Sequence, residues 1–195
     1  MPGLRKKGCG KAMGREIAVL LGSPHKNGNS AQMAEALIEG LKKAGDHAVK
    51  IYAEDLQTGC CDCGGCYRAE GRPCAQHPDF NEVAPALLRA DGIVFALPLY
   101  WFDFPGKLKC LIDNMYCFYA TGKDIARKRA AILCCAHGDE YSLFDGVQRT
   151  YELIVQHMNW SSAAQIYIGG VEGHDGIRDT DALQRCRALG ERFFR

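Results

Sequence analysis

Short apolar runs rich in β-branched residues recur along the chain and predict buried strands. Each run is bounded by polar or turn-forming residues and has the length of a strand that is covered on both faces. The five predicted strands are Ile17–Gly22, Ala48–Tyr52, Gly92–Leu97, Arg129–Cys135 and Ala164–Ile168.

The segments between these runs carry apolar residues at helical spacing. Met33, Leu37 and Leu41 fall on one face of a helix, and a closing helix is predicted from Asp181 to Phe194. Alternation of strand and helix favours right-handed βαβ crossovers. We therefore expect an α/β fold with a doubly wound five-stranded parallel sheet and helices on both faces, whose ligands bind at the carboxyl ends of the strands.

Charge and hydropathy narrow the range of partners. The 195 residues include 24 Lys and Arg against 23 Asp and Glu, so the net charge is +1 and no general attraction to nucleic acid is expected. The longest apolar run, Ile93–Phe102, has ten residues and contains a proline, whereas a membrane span needs roughly 20. The sequence thus predicts a small-molecule partner, no nucleic acid and no membrane.

The chain is expected to form one domain over residues 16–195. Because the periodic pattern begins at Glu16, residues 1–15 are expected to be an N-terminal extension, either disordered or a non-native start. This basic stretch lacks the apolar segment of a secretory signal, which predicts a cytoplasmic protein with reduced thiols.

The loop after the first predicted strand has the composition of a phosphate site. It reads GSPHKNGNSA, from Gly22 to Ala31, and leads directly into the first predicted helix. Backbone N–H groups at a helix N-terminus bind anions. The candidate side-chain donors are Ser23, Asn27, Asn29 and Ser30, with Gly28 allowing close approach and His25 or Lys26 contributing charge. The alternative is a purely local one, since Asn and Ser also favour turns and helix starts.

Two further loops follow strands of the same predicted sheet. After the third strand come Tyr100, Trp101 and Phe102, which offer a flat apolar wall for a ring, or else fill the core or a subunit contact. After the fourth strand, His137 and Gly138 would face the same crevice, although a lone loop histidine is often exposed and without function. Convergence of three loops favours a binding site more than any one of them does.

A cysteine-rich loop, CCDCGGCYRAEGRPC, follows the second predicted strand. Cys60, Cys63, Cys66 and Cys74 are spaced C-x2-C-x2-C-x7-C, which lets a short loop place several thiolates around one inorganic centre. Four-thiolate zinc and reduced thiols without a metal are the alternatives. Disulfides are not expected in a reducing cytosol.

Together, LLGSPHKNGNSA, ADGIVFALPLYWFDFPGKLKCLID and the cysteine-rich loop resemble the flavodoxin-like NAD(P)H-dependent FMN reductases, including their iron–sulfur flavoprotein branch. The resemblance runs from about residue 16 to residue 195 and implies a flavodoxin-like fold. It implies FMN phosphate contacts at Ser23, His25, Asn27, Gly28, Asn29, Ser30 and Ala31, ring contacts at Pro98, Leu99, Tyr100, Trp101 and Phe102, and contacts to the pyrimidine edge at Ala136, His137, Gly138 and Asp139.

The same resemblance implies an activity. Members of this family take hydride from NAD(P)H on FMN and reduce a quinone, a flavin or another small acceptor, commonly as homodimers or higher homo-oligomers. Since the cofactor carries that chemistry, no catalytic side chain is assigned. The resemblance also names Cys60, Cys63, Cys66 and Cys74 as ligands of a [4Fe-4S] cluster. The alternative function is electron transfer through FMN, with or without that cluster, to redox partner proteins.

Overall fold

The structure, a computed structural model, describes residues 14–195 and contains one parallel sheet. Its strands are β1 (Glu16–Leu21), β2 (His47–Tyr52), β3 (Gly92–Pro98), β4 (Arg129–Cys135) and β5 (Ser161–Ile168). They lie in the order β2-β1-β3-β4-β5, and every neighbouring pair is parallel. This is the flavodoxin-like strand order, and the predicted fold class is confirmed.

Within residues 14–195, five helices connect the strands and a sixth follows β5. They are α1 (Asn29–Ala44), α2 (Pro78–Arg89), α3 (Gly106–Asn114), α4 (Tyr116–Ala120), α5 (Asp145–His157) and α6 (Ala182–Glu191). Short 3₁₀ turns at Gly65–Arg68, Tyr141–Phe144 and Gly176–Asp179 interrupt the longer loops.

The sheet is covered on both faces, as its near-continuous apolar strands predict. Along β3, Ile93 and Phe95 face one core with α2, α3 and α5, while Val94 and Ala96 face the other core with α1 and α6. All four side chains are fully buried. Because the central strands are apolar on both sides, the polar chemistry is confined to the loops at their ends.

The chain direction across the sheet changes between β1 and β3. From β1 the chain moves outward to β2, and it then returns to β3 on the opposite side of β1. Loops that leave the carboxyl ends of two such strands diverge and open a crevice between them. The loops after β1 and β3 are two of the three that were predicted to bind a ligand.

Most of the predicted N-terminal extension, residues 1–13, lies outside the described residues. Arg15 is already joined to the sheet, because its N–H donates to Asp46 Oδ1 at 3.0 Å and its carbonyl accepts from His47 N at 2.8 Å. Within residues 14–195, no helix has both the length and the apolar character to cross a membrane.

Candidate functional site

The loop between β1 and α1 folds back on itself around Ser23. The hydroxyl oxygen of Ser23 accepts the His25 N–H at 3.1 Å, and the Gly28 N–H donates to the His25 carbonyl at 3.0 Å. A Cβ atom at Gly28 would lie 3.0 Å from the Cβ of His25, so a glycine suits this tight turn. The turn brings the chain directly into the first turn of α1.

The N-terminus of α1 is left without a side-chain cap within residues 14–195. The Gln32 N–H already donates to the Gly28 carbonyl at 2.9 Å, so the earlier N–H groups of Asn29, Ser30 and Ala31 have no intrahelical acceptor. The side chain of Ser30 is only 3% exposed and that of Ser23 only 6%. Two hydroxyl groups and a positive helix end form a local environment that suits an anion.

The amide of Asn29 is hydrogen-bonded to a loop far away along the chain. Its Nδ2 donates to the carbonyl of Gly173 at 2.8 Å, and its Oδ1 accepts the Ile177 N–H at 3.2 Å. Both partners lie in the loop between β5 and α6. In this structure Asn29 therefore fastens a distant loop to the start of α1.

The aromatic loop after β3 forms a tight hairpin turn. Tyr100 and Asp103 exchange backbone hydrogen bonds at 3.2 and 3.1 Å, and the two residues between them have φ values of 48° and 69°. Positive φ at both central positions is the pattern of a type I′ turn, which usually holds Asn and Gly rather than Trp101 and Phe102. The turn leaves the Trp101 side chain 93% exposed.

Contacts with α5 hold this turn in place. Thr150 Oγ1 donates to Asp103 Oδ2 at 3.2 Å, and a Cβ atom at Gly146 would lie 2.6 Å from the Phe102 carbonyl oxygen. The close approach requires a glycine at the start of α5.

The loop after β4 continues the sheet hydrogen bonding for a short distance. The Ala136 N–H donates to the carbonyl of Ile168, the Val171 N–H to the carbonyl of Ala136, and the Gly170 N–H to the carbonyl of Gly138, each at 2.9 Å. His137 and Asp139 are exposed on this loop. The loop is thus fixed by the chain that follows β5.

A cleft of about 320 Å³ opens where these loops meet at the carboxyl ends of the strands. Its volume is within the range of small-molecule sites. Of the predicted cofactor contacts, the cleft is lined by Ser23, His25, Gly28, Asn29, Ser30, Pro98 and Tyr100. The other predicted contacts lie outside its lining, and they are Asn27, Ala31, Leu99, Trp101, Phe102, Ala136, His137, Gly138 and Asp139.

Three residues that sequence reasoning did not identify complete the lining, namely Cys135, Gly173 and His174. Cys135 ends β4, so its place at a strand end was a usable signal. Burial raises the pKa of its thiol to about 12, which keeps it neutral at physiological pH and unsuited to act as a nucleophile. Gly173 and His174 gave no comparable signal, since they belong to a loop whose path depends on contacts with α1.

The side chain of Lys26 is directed away from the cleft. Its Nζ lies 2.7 Å from Asp55 Oδ2 and 4.9 Å from the centre of the Tyr52 ring. Imidazole groups, rather than this lysine, are therefore the basic side chains of the cleft.

The cysteine-rich loop packs against α3 and α4. Asn114 is fully buried, accepts the Gly59 N–H at 2.5 Å through Oδ1, and donates from Nδ2 to Cys74 Sγ at 3.6 Å. The backbone of Cys74 makes two hydrogen bonds of 2.8 Å with the Asn81 amide. The end of the loop is thus held firmly, whereas Cys60, Cys61 and Cys63 are exposed.

Two thiols of this loop have shifted pKa values. Cys63 Sγ accepts the Gly65 N–H at 3.4 Å, which lowers the pKa of Cys63, and the neighbouring Cys63 raises the pKa of Cys61. Cys117, a residue of α4 that the sequence spacing did not implicate, lines one small cavity with Cys74. Burial, followed by the neighbouring Cys74, raises the pKa of Cys117 to about 12.

The donor set of this loop suits a thiophilic metal, but the cavity between its thiols is too small in this structure for a [4Fe-4S] cluster. Cys60, Cys63, Cys66 and Cys74 line one cavity of about 20 Å³, close to the space of a single water probe. Within residues 14–195, no three His, Cys, Asp or Glu side chains are arranged as ligands of one metal ion. His77 also lines the cavity, and its Nε2 is buried without a hydrogen-bond partner among these residues.

A second cleft, of about 380 Å³, lies between α3, α4 and α5. Its lining includes Met115, Tyr116, Tyr119, Leu153 and Ile154 and contains none of the predicted cofactor contacts. It is distinct from the cleft at the strand ends.

Comparison with known proteins identifies a family. Residues 15–168 match the model of the family described as NADPH-dependent FMN reductase. An iron-sulfur flavoprotein of Methanosarcina thermophila is 23% identical over 170 residues, which is 87% of this chain and 88% of that protein. An iron-sulfur flavoprotein of Archaeoglobus fulgidus is 31% identical over 97 residues, which is 49% of this chain and 43% of that relative.

A solved structure shares the fold. The NAD(P)H:quinone oxidoreductase from Methanothermobacter marburgensis superposes with a TM-score of 0.74 at 24% identity, covering 93% of this chain and 97% of that one. At this identity the likeness supports the fold alone.

Proposed function

Because the chain belongs to the NADPH-dependent FMN reductase family, we propose that it is an FMN-dependent oxidoreductase that takes hydride from NAD(P)H and reduces a quinone, a flavin or another small acceptor. The observation that carries this proposal is the cleft at the strand ends, where an uncapped helix N-terminus meets the buried hydroxyl groups of Ser23 and Ser30. When bound, FMN supplies the hydride and electron transfer chemistry.

The residues of the chain serve to bind and orient that cofactor. The N–H groups at the start of α1, with Ser23 and Ser30, suit a phosphate monoester because each donates to an anionic oxygen. Tyr100 lines the same cleft and is 46% exposed, so it offers a ring edge between the cleft and solvent. Trp101 and Phe102 extend this aromatic surface outward, where a small acceptor has free access.

The proposal also includes a cytoplasmic location and a homodimer or higher homo-oligomer. The exposed side chains of Tyr116, Tyr119 and Leu153 around the second cleft support an association between copies. Sedimentation velocity of the FMN-loaded protein tests this part.

Anaerobic turnover tests the activity. We expect FMN-loaded protein to oxidise NADH or NADPH steadily when a soluble quinone is added, with two electrons delivered to the quinone for each nucleotide consumed.

Ser30→Ala should weaken FMN binding roughly 10- to 100-fold, because a hydrogen bond to a charged phosphate is lost. Ser161→Ala, at the exposed start of β5, is the matched control and should bind FMN as the wild type does.

Electron transfer to redox partner proteins is the second candidate function. The names of the two archaeal relatives and the spacing of Cys60, Cys63, Cys66 and Cys74 favour it, while the small cavity between these thiols does not. FMN binding without turnover of either nucleotide, together with about four iron and four sulfide per chain after anaerobic purification, would favour this function over the first.

A further inference from the structure

The loop after β5 returns across the cleft at the strand ends. Gly170 and Val171 are still hydrogen-bonded to the loop after β4. Gly173 then has a φ of 65°, a left-handed conformation that turns the chain. His174 follows this turn and lines the cleft together with Ser23, His25 and Ser30.

Two residues of the first turn of α1 fix this loop on both sides of His174. The Asn29 side chain donates a hydrogen bond to the Gly173 carbonyl at 2.8 Å and accepts one from the Ile177 N–H at 3.2 Å. Gln32 lies on the same face of the helix. Its Nε2 donates to Asp175 Oδ1 and its Oε1 accepts from Arg178 Nε, each at 2.8 Å. The position of His174 is therefore set relative to the uncapped helix end.

The cleft thus contains two imidazole groups beside the helix N-terminus. The rings of His25 and His174 are 6.2 Å apart, centre to centre, and are inclined by 72°. An imidazole donates an N–H hydrogen bond in either charge state. Asp175 Oδ2 lies 3.9 Å from His174 Nδ1, too far for a hydrogen bond.

We propose that His174 binds the cofactor phosphate together with His25, and that Asn29 is a positioning residue that acts through the His174 loop. The proposal rests on the FMN site proposed above. It adds to that site a contact from the loop after β5, whose Gly173 is 144 residues from Asn29 along the chain. These groups suit an anionic phosphate monoester, a charge that the flavin ring itself does not provide. They therefore discriminate FMN from riboflavin, which has the same ring without the phosphate.

Titration of the apoprotein with FMN and with riboflavin, followed by flavin fluorescence, tests the proposal. His174→Ala should weaken FMN binding roughly 10- to 100-fold, as expected for a lost hydrogen bond to a charged group, and leave riboflavin binding within about twofold. His47→Ala, an exposed histidine at the start of β2, is the control and should change neither affinity.

A double-mutant cycle separates positioning from direct contact. If Asn29 acts through His174, Asn29→Ala should also weaken FMN binding selectively, and the double variant should lose little more than His174→Ala alone. Additive losses would overturn the positioning role. Equal weakening of FMN and riboflavin, or no change, in His174→Ala would overturn the phosphate contact, and wild-type protein that binds neither flavin would overturn the proposed FMN site itself.

Discussion

Trp101 and Phe102 occupy backbone conformations that large side chains rarely adopt. Each left-handed residue other than glycine costs about 1–2 kcal/mol, with Asn and Asp tolerated better. The neighbouring contacts of Asp103 with Thr150, and of Gly146 with the Phe102 backbone, hold the turn in this form. Conformational strain that is retained beside a cleft is a common property of binding sites.

The substitution Trp101→Asn separates the stability of this turn from its function. We expect the free energy of unfolding to stay constant or to rise by up to about 1 kcal/mol, because Asn accepts a positive φ. We expect FMN affinity to fall several-fold, because Trp101 extends the aromatic surface beside Tyr100, which lines the cleft. Urea denaturation and flavin fluorescence measure the two effects.

The matched control is Glu82→Asn, which replaces an exposed side chain on the helical backbone of α2, away from both clefts. It should lower stability by about 0.5 kcal/mol through helix propensity and leave FMN affinity unchanged. A marked loss of stability in Trp101→Asn would show that the turn is not strained.

At the scale of elements, α1 and α6 approach each other through paired glycines. A Cβ atom at Gly190 would lie 2.2 Å from the Leu37 carbonyl oxygen and 2.9 Å from the Cα of Gly40, so the two helix backbones are in direct contact. This contact sets the distance between the start of α1 and the loop that precedes α6.

The substitution Gly190→Ala therefore should reverse the usual effect of a helical Gly-to-Ala change. Elsewhere alanine stabilises a helix by up to about 1 kcal/mol, but here we expect a loss of about 1–3 kcal/mol, because the backbones must separate. Gly106→Ala at the start of α3, where a Cβ atom would meet nothing within 4 Å, is the control and should be neutral or stabilising. Thermal unfolding of both variants checks the difference in sign.

Elements were easier to predict from the sequence than the contacts between them. The buried strands β1, β3 and β4 were located within one residue, because a strand covered on both faces is an unbroken apolar run. The start of β5 was missed by three residues, since Ser161 and Ser162 are exposed on an edge strand and show no apolar signal. The division between α3 and α4 at Met115 was also missed, because neither Gly nor Pro marks it.

In the candidate site, too, the position of a loop was easier to predict than its contacts with other loops. The sequence located the loop after β1 because a parallel sheet places its strand ends together. The role of Asn29 could not be predicted, since its partners Gly173 and Ile177 come near only after α6 has packed on α1.

At the scale of the whole molecule, buried thiols link stability to alkaline pH. Burial raises the pKa of Cys135 and of Cys186 from 9.0 to about 12. Above pH 9 the unfolded chain loses these protons while the folded chain keeps them, so stability is fully present below pH 9 and is lost between pH 9 and 12.

We expect the free energy of unfolding to fall by about 1.4 kcal/mol for each such thiol between pH 8 and pH 10. Urea denaturation with a reductant present measures this fall. Cys186→Ala should start from a lower stability but lose about 1.4 kcal/mol less over the same interval. An identical pH dependence in both proteins would contradict the assignment.

The uncapped first turn of α1 links the survival of the protein to the supply of its cofactor. A ligand that binds only the folded state stabilises it by about 2.7 kcal/mol at a hundredfold excess over its dissociation constant. If FMN occupies this helix end as proposed, newly made chains in a flavin-depleted cell will unfold more often and be degraded sooner. The abundance of the protein would then follow flavin availability without any dedicated regulator.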